Sequence, residues 1–561
     1  MADYDVAYIG GSIVDGSGCP AVRGDIATKD GRIAEVGTVS GSVARRIDVD
    51  GLVIAPGIID VHSHYDAQVC WDALLMSSAE HGATTVVQGN CGIGVAPCKP
   101  ADREAAIRDL EAIEGMSYDV LTAGIEWAFE TFPEYLAHLR RRGLGINLAA
   151  FVPLSPLRRW VLGDEASERA ATPEERVAIA ALLREAMEAG ALGFSATMTK
   201  RHVGYKGRPL ACRMADRDEL RAYANVLRDL GRGVIQVNTF DRTPYPSAEE
   251  LARLDLLLTE SGRPVTFSGG HFRAEDPRAI DTMLDQVAGF RARGAMPQAM
   301  IRPLTNQVDF RSPFVLGEIP AFRKVLNESL ETQRRVYSDP EWRAEVKAIL
   351  DAGRINIAHS WKSARVQRVS NPSLRGLLGR SVDEIGAERG VHPFDAMLDI
   401  TLADGLETRF LFEILNTDPV RMRRHIVDPR VMIGLADGGA HVDQLFETSF
   451  PTYMLGHWVR RERALTLEHA IKRMTSEPAD FFGFRDRGRI AVDAVADLFV
   501  FDPATVDAPA MATEVRRDLP AGGERLYAQA TGVAYVVVNG EVLIESGRHT
   551  GALPGTLIAD R

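Results

Sequence analysis

Apolar positions along this chain fall in short runs, and the spacing of the runs divides it into three stretches. Near the start, Val6-Ala7-Tyr8-Ile9 and Ser12-Ile13-Val14 flank Gly10-Gly11, and an Asp30-Gly31 pair precedes Ile33-Ala34-Glu35-Val36. Runs of this length, broken by Gly and Asp-Gly, read as strands and tight turns. The far end has the same texture. Leu498-Phe499-Val500-Phe501 is a buried strand stopped at Asp502-Pro503, and Tyr535 to Ile544 is a hairpin on Asn539-Gly540. Between these ends, apolar strands alternate with amphipathic helices: Thr84-Thr85-Val86-Val87-Gln88, Ile146 to Val152, a helix over 173–190, Ala191 to Ser195, Gly233 to Asn238, Pro264 to Ser268 and Val431 to Asp437. Repeated strand–helix units predict a parallel α/β fold, a (β/α)8 TIM-type barrel first. The strand-rich ends predict a small β-sandwich domain formed by both termini, at 1–55 and 484–561, beside a barrel at 56–483. The rhythm breaks over about 300–390, which reads as a lid insertion across the barrel mouth.

Composition narrows the function. The chain has 561 residues, 45% of them hydrophobic and 25% charged, and a formal net charge of −12. An acidic balance argues against nucleic acid as the main partner, because phosphate binding wants a basic surface. Five cysteines without framework spacing suit a reducing compartment. No stretch approaches the roughly 18 apolar residues of a membrane span, and Met-Ala-Asp-Tyr-Asp has no secretory character. The expectation is a cytoplasmic protein acting on a small molecule, with no nucleic acid or membrane partner and with homo-oligomerisation left open.

The chemistry concentrates at strand ends. Ile58-Ile59-Asp60-Val61 follows the Pro56-Gly57 turn and runs into His62-Ser63-His64. Side chains at i and i+2 of an extended segment share a side, so two imidazoles aim at one point. A pair of neutral imidazoles suits a divalent transition metal, zinc first. Cys91 ends the next strand inside Gly89-Asn90-Cys91-Gly92, and Asp437 ends the late one inside Ala436-Asp437-Gly438-Gly439-Ala440-His441. Barrel active sites gather at the C-terminal ends of strands, so His62, His64, Cys91 and Asp437 form the candidate metal set. Zinc would acidify a water, and Asp437 would serve as catalytic base, moving its proton to a leaving nitrogen. The alternatives are a buried apolar role for Cys91 and a turn role for Asp437. His441, Lys200 and Asn238 are the candidate substrate contacts, and Arg201, His202 and Arg242 add cations nearby. Trp361 and Lys362 belong to the predicted lid. His271, His359 and His457 lack strand-end context.

These stretches resemble the amidohydrolase superfamily and, within it, the D-aminoacylase (N-acyl-D-amino-acid deacylase) group. The likeness runs from Ile9-Gly10-Gly11-Ser12-Ile13-Val14-Asp15-Gly16 through Pro56 to His64, Gly82 to Gly92, Gly190 to Ser195 and His392-Pro393-Phe394-Asp395-Ala396. It ends on Asp486-Arg487-Gly488-Arg489-Ile490 and Ala496-Asp497-Leu498. The resemblance implies a TIM barrel beside a small β-sandwich, and metal-assisted hydrolysis of an amide. It also implies two further histidines at middle strand ends, which with the cysteine hold a tightly bound zinc. Those positions fall on Asn238 and Gly269 here, and a Gly-His pair falls on Pro153-Leu154. His271 is the candidate substitute. The reading is therefore one zinc, with two ions as the alternative, and hydrolysis of a C–N bond in an N-acyl (D-)amino acid or related amide. Rival readings are a hydrolase of a cyclic imide, lactone or cyclic ketone, and a metal-free small-molecule binder.

Overall fold

The structure is a computed structural model. It describes all residues except 1, 201, 242–244, 273–275, 277, 312, 314–315, 317–318, 327, 353–361, 363, 510–513 and 560–561. Eight short strands form its centre: β1 (Ile58–Asp60), β2 (Ala83–Gln88), β3 (Asn147–Pro153), β4 (Gly193–Thr197), β5 (Val234–Asn238), β6 (Val265–Ser268), β7 (Ala295–Ala299) and β8 (Met432–Ile433). They pair in chain order and every pairing is parallel. The ring closes just beyond β1 and β8, where His62–Ser63 pairs in parallel with Leu435–Gly438. This is the (β/α)8 barrel. Most of its strand residues are buried, as expected where helices cover a parallel sheet.

The covering helices follow from local chemistry. In Pro173–Glu188, Thr172 Oγ1 accepts from the Glu175 N–H at 3.3 Å and the Glu175 carboxylate accepts from the Thr172 N–H at 2.8 Å. That reciprocal cap, with Pro at the first helical position, sets the start of the helix. Ile179, Leu183, Ala186 and Met187 then fall on one buried face at helical spacing. Among the described residues, no helix is long and apolar enough to cross a membrane.

Both ends of the chain enter one nine-stranded sheet. Its two halves join where Val53–Pro56 lies antiparallel to Leu498–Phe501. Tyr8, Ile26, Ile47, Ile54, Leu498, Val500 and Val537 form its core. The C-terminal hairpin turns on Asn539 and Gly540, both with positive φ (48° and 82°), as a two-residue turn matched to strand twist requires. Beyond it, the Leu148 N–H donates to the Thr556 carbonyl and the Ile558 N–H to the Leu148 carbonyl, both at 2.9 Å. This pairing lies at the start of β3, so the segment covers the barrel's base. There Ile558 packs with Val87, Phe151, Val234, Met432 and Phe482.

Between β7 and β8 the chain builds a separate layer. Leu304–Val308, Arg365–Arg368 and Arg409–Leu415 form a three-stranded antiparallel sheet. Its own core contains Phe310, Phe322, Tyr337, Trp342, Phe394 and Phe410. The layer is tied to the segment after β8 by the Gln307 N–H, which donates to the Gln444 carbonyl at 3.0 Å. Arg409 adds a second tie through the Asp443 backbone carbonyl.

Candidate metal centre

The pairing that closes the barrel also brings the motifs together. His62 lies on the extension of β1 and Asp437 on that of β8. Asp437 Oδ1 stands 3.5 Å from His62 Nε2 and 3.3 Å from His64 Nε2. Cys91, just past β2, places Sγ 3.5 Å from His62 Nε2. Among the described residues, His62, His64 and Cys91 form the group whose ligand atoms all lie within 4.8 Å of one another.

The backbone here is unusual. Cys91, Asp437 and His441 have φ of 59°, 52° and 46°, a region that costs a non-glycine residue about 1–3 kcal/mol. Neighbouring bonds hold these conformations. Asn90 Nδ2 donates to the Ser63 and Val87 carbonyls at 3.1 and 2.9 Å, and the Gly92 N–H donates to Ser195 Oγ at 3.0 Å. The His64 N–H donates to the Gly438 carbonyl at 2.6 Å. Gly439, at φ +91°, passes so close that a Cβ there would lie 2.5 Å from the His64 carbonyl oxygen.

Each imidazole has its own support. His62 Nδ1 is 2.5 Å from Gln298 Oε1, an atom that only accepts, so Nδ1 carries the proton and the Nε2 lone pair faces the centre. His64 Nδ1 lies 3.3 Å from Glu114 Oε1, at the end of helix Arg103–Glu114. Burial lowers the His62 pKa to about 4. His64 goes the other way: burial opposes its cation, but Glu114, Asp437 and Cys91 outweigh burial and raise it well above the usual value. Burial raises Cys91 to about 11 against a hydrogen bond with His64, and Glu114 to about 7 against the charge of His64. Burial also opposes the Asp437 anion, yet the two histidines hold its carboxyl below the usual range.

The donor set fits a zinc ion. Ligands at about 2.0–2.3 Å in a tetrahedron stand about 3.3–3.8 Å apart. The His62–Cys91, His62–Asp437 and His64–Asp437 separations lie in that span, and Asp437, on the imidazole side, stands outside the group whose ligand atoms are all within 4.8 Å of one another. Two imidazole nitrogens, a sulfur and a carboxylate oxygen are all zinc donors, and a divalent cation among them favours thiolate and neutral imidazole together.

Other expected residues have different positions. Asn238 reaches the cluster as a hydrogen-bond donor, with Nδ2 2.9 Å from Cys91 Sγ. Gly269 follows β6, and His271, whose N–H donates to the Gly269 carbonyl at 2.8 Å, is outside the three-residue ligand group. The His441 ring lies against Gly115, and burial lowers its pKa to about 4. Lys200 is exposed, its backbone N–H bonded to the Asp241 carboxylate at 2.5 Å. His457 stacks on Tyr453 with centroids 4.8 Å apart. Arg201, Arg242, His359 and Trp361 lie outside the described residues. Sequence reasoning missed Gln236, Gln298 and Glu114. The two glutamines had a signal, an amide inside an otherwise apolar strand. Glu114, at the end of an ordinary charged helix, had none.

Residues 45–544 match a family model described as the amidohydrolase family. The D-aminoacylase of Alcaligenes xylosoxydans xylosoxydans is 30% identical over 567 aligned residues, covering 99% of this chain and 98% of that one. The N-acyl-D-glutamate deacylase of the same organism is 28% identical, covering 94% of each. A solved D-aminoacylase, described for a binuclear metal center with one-metal activation and second-metal attenuation, superposes with a TM-score of 0.69 at 25% identity. The match covers 99% of this chain and all of the other.

Proposed function

The chain belongs to the amidohydrolase family, and from that premise we propose that it is a one-zinc hydrolase of N-acyl D-amino acids or closely related small amides. The convergence of His62, His64, Cys91 and Asp437 at the closing seam of the barrel carries this reading. These four residues would hold the ion, which when bound supplies Lewis acidity and an acidified water. Asp437 is the proton carrier. Its side chain is 23% exposed, against 2% and 5% for His62 and His64, so it is the member of the set open to substrate. Its carboxylate takes the proton of the attacking water as the C–O bond forms. It then delivers that proton to the amide nitrogen as the C–N bond breaks, giving a carboxylic acid and an amine. His64, between Glu114 and Asp437, holds the carboxylate in place.

Three observations support a single ion. The positions matched to the group's further histidines carry Asn238 and Gly269, the Asn238 amide already occupies one side of Cys91, and His271 is outside the ligand group. The preference for D-substrates follows its relatives, a D-aminoacylase and an N-acyl-D-glutamate deacylase.

Elemental analysis of protein purified without a metal-affinity tag tests the centre. A panel of N-acetyl-D- and N-acetyl-L-amino acids, with a cyclic imide and a lactone, tests the reaction. The expected result is about one zinc per chain, lost in the His62→Ala, His64→Ala double variant, with turnover of a D-substrate. Asp437→Asn should fold and lose turnover. A chain that binds no zinc on titration, or an Asp437→Asn variant as active as the parent, overturns the reading. Turnover confined to the imide or lactone moves the substrate class.

A further inference from the structure

Gln236 and Asn238 stand two residues apart on β5, so their side chains leave the strand on one face. With Cys91 they form a closed circuit of three hydrogen bonds. The Cys91 N–H donates to Gln236 Oε1 at 2.7 Å, Gln236 Nε2 donates to Asn238 Oδ1 at 3.1 Å, and Asn238 Nδ2 donates to Cys91 Sγ at 2.9 Å. The direction of the circuit is fixed from outside. A backbone N–H can only donate, so Gln236 must turn its oxygen to Cys91. The Ser268 N–H reaches Asn238 Oδ1 at 3.2 Å and Ser268 Oγ donates to it at 2.6 Å, so Asn238 must turn its oxygen to β6 and its nitrogen to the sulfur. Both amides and Cys91 are buried.

We propose that Gln236 and Asn238 are positioning residues that clamp Cys91 as a ligand of one ion and keep a second cation off its sulfur. This inference rests on the metal-dependent reading above. A sulfur shared between two cations needs a lone pair for each. Here the side of the sulfur facing β5 receives an N–H, the positive end of an amide dipole. That amide cannot turn over without breaking its bonds to Ser268 and Gln236. Its oxygen already accepts from three donors, so a cation arriving from β5 meets a donor and finds no ligand. The same N–H withdraws charge from the sulfur, so removing it should make the sulfur easier to oxidise in a ligand-to-metal transition.

Cobalt(II) substitution of the full chain tests this without reference to turnover, reading the number of ions bound and the energy of the sulfur-to-cobalt charge-transfer band. The parent should bind one cobalt and show one such band. Asn238→Ala should move the band to lower energy. Gln236→Leu, which breaks the circuit one bond earlier and leaves every ligand in place, should move it the same way and serves if the first variant fails to fold. Asn238→Asp, which sets a carboxylate where the N–H stood, should take up a second ion at least about tenfold more tightly than the parent. Two ions in the parent, a band unmoved in a folded Asn238→Ala or Gln236→Leu protein, or no second ion in Asn238→Asp overturns the clamp alone. A parent that binds no cobalt at all overturns the metal-dependent reading, and the clamp with it.

Discussion

His64 carries a carboxylate at each ring nitrogen, Glu114 on one side and Asp437 on the other, whereas His62 is backed by the neutral amide of Gln298. The two imidazoles are therefore unequal donors, because a carboxylate behind the Nδ1 proton raises ligand basicity more than an amide does. Glu114→Gln keeps the shape and removes the charge. It should weaken zinc binding by about 10–100-fold, measured by competition with a chelator, with little change in melting temperature. An unaltered affinity would show that Glu114 only fills space. At this scale the sequence was informative where strand geometry and side-chain type agree. His62, His64, Cys91 and Asp437 lie at or near strand ends and were readable there. Glu114 comes from a helix whose docking on His64 depends on packing between distant segments, which no local pattern records.

The site sits on short strand extensions and the turns that follow them, and the tolerances there are small. Gly439 allows the segment after β8 to run against the His64 carbonyl, and a Cβ would meet that oxygen at 2.5 Å from a backbone with φ +91°. Gly439→Ala must move either Asp437 or His64. It should cost at least about tenfold in zinc affinity while the far-ultraviolet circular dichroism of the barrel is kept. Full zinc binding in this variant would mean that the turn relaxes without disturbing its ligands. Most barrel strands were legible because buried parallel strands read as short apolar runs with few alternatives, but β7 was not, because Pro297 and Gln298 interrupt its apolar run. The pairing of His62–Ser63 with Leu435–Gly438 was not legible either, because it joins segments from opposite ends of the barrel. Nor was the core of the layer between β7 and β8, whose Phe and Trp contacts gather residues from 308 to 412.

Over the whole molecule, buried neutral histidines tie stability to pH. His81 bonds Thr452 Oγ1 and the Ala528 carbonyl at 2.6 and 3.0 Å, and burial lowers its pKa to about 3. His425 is lowered to about 3 by the same cause. An imidazole in the unfolded chain titrates near about 6.5. Between these values the unfolded chain holds more protons than the folded one, so this part of the stability is present above about pH 6.5 and falls away as pH drops toward 3. The urea midpoint of the metal-free parent, relative to that of His81→Gln, should therefore fall across that window, because the buried carboxyls that burial raises, such as Asp66 and Glu447, act the opposite way in both proteins and cancel in the difference. Equal slopes would remove His81 from the account. The base of the barrel offers a second test. Ile558→Asp places a charge against Val87, Phe151 and Phe482 at a half-buried position and should lower the melting temperature by about 1–3 °C, the effect of about 1–3 kcal/mol on a chain of this length.

The joining of the two chain ends in one sheet has a consequence in time as well as in space. Strand Val53–Pro56 finds its outer partner only in Leu498–Phe501, which leaves the ribosome after the entire barrel has been made. Until then the amino-terminal strands wait with an unpaired hydrogen-bonding edge, the kind of surface on which nascent chains associate with one another. Yield during expression should therefore respond to how quickly translation is completed and to the supply of chaperones, even where the finished enzyme is stable.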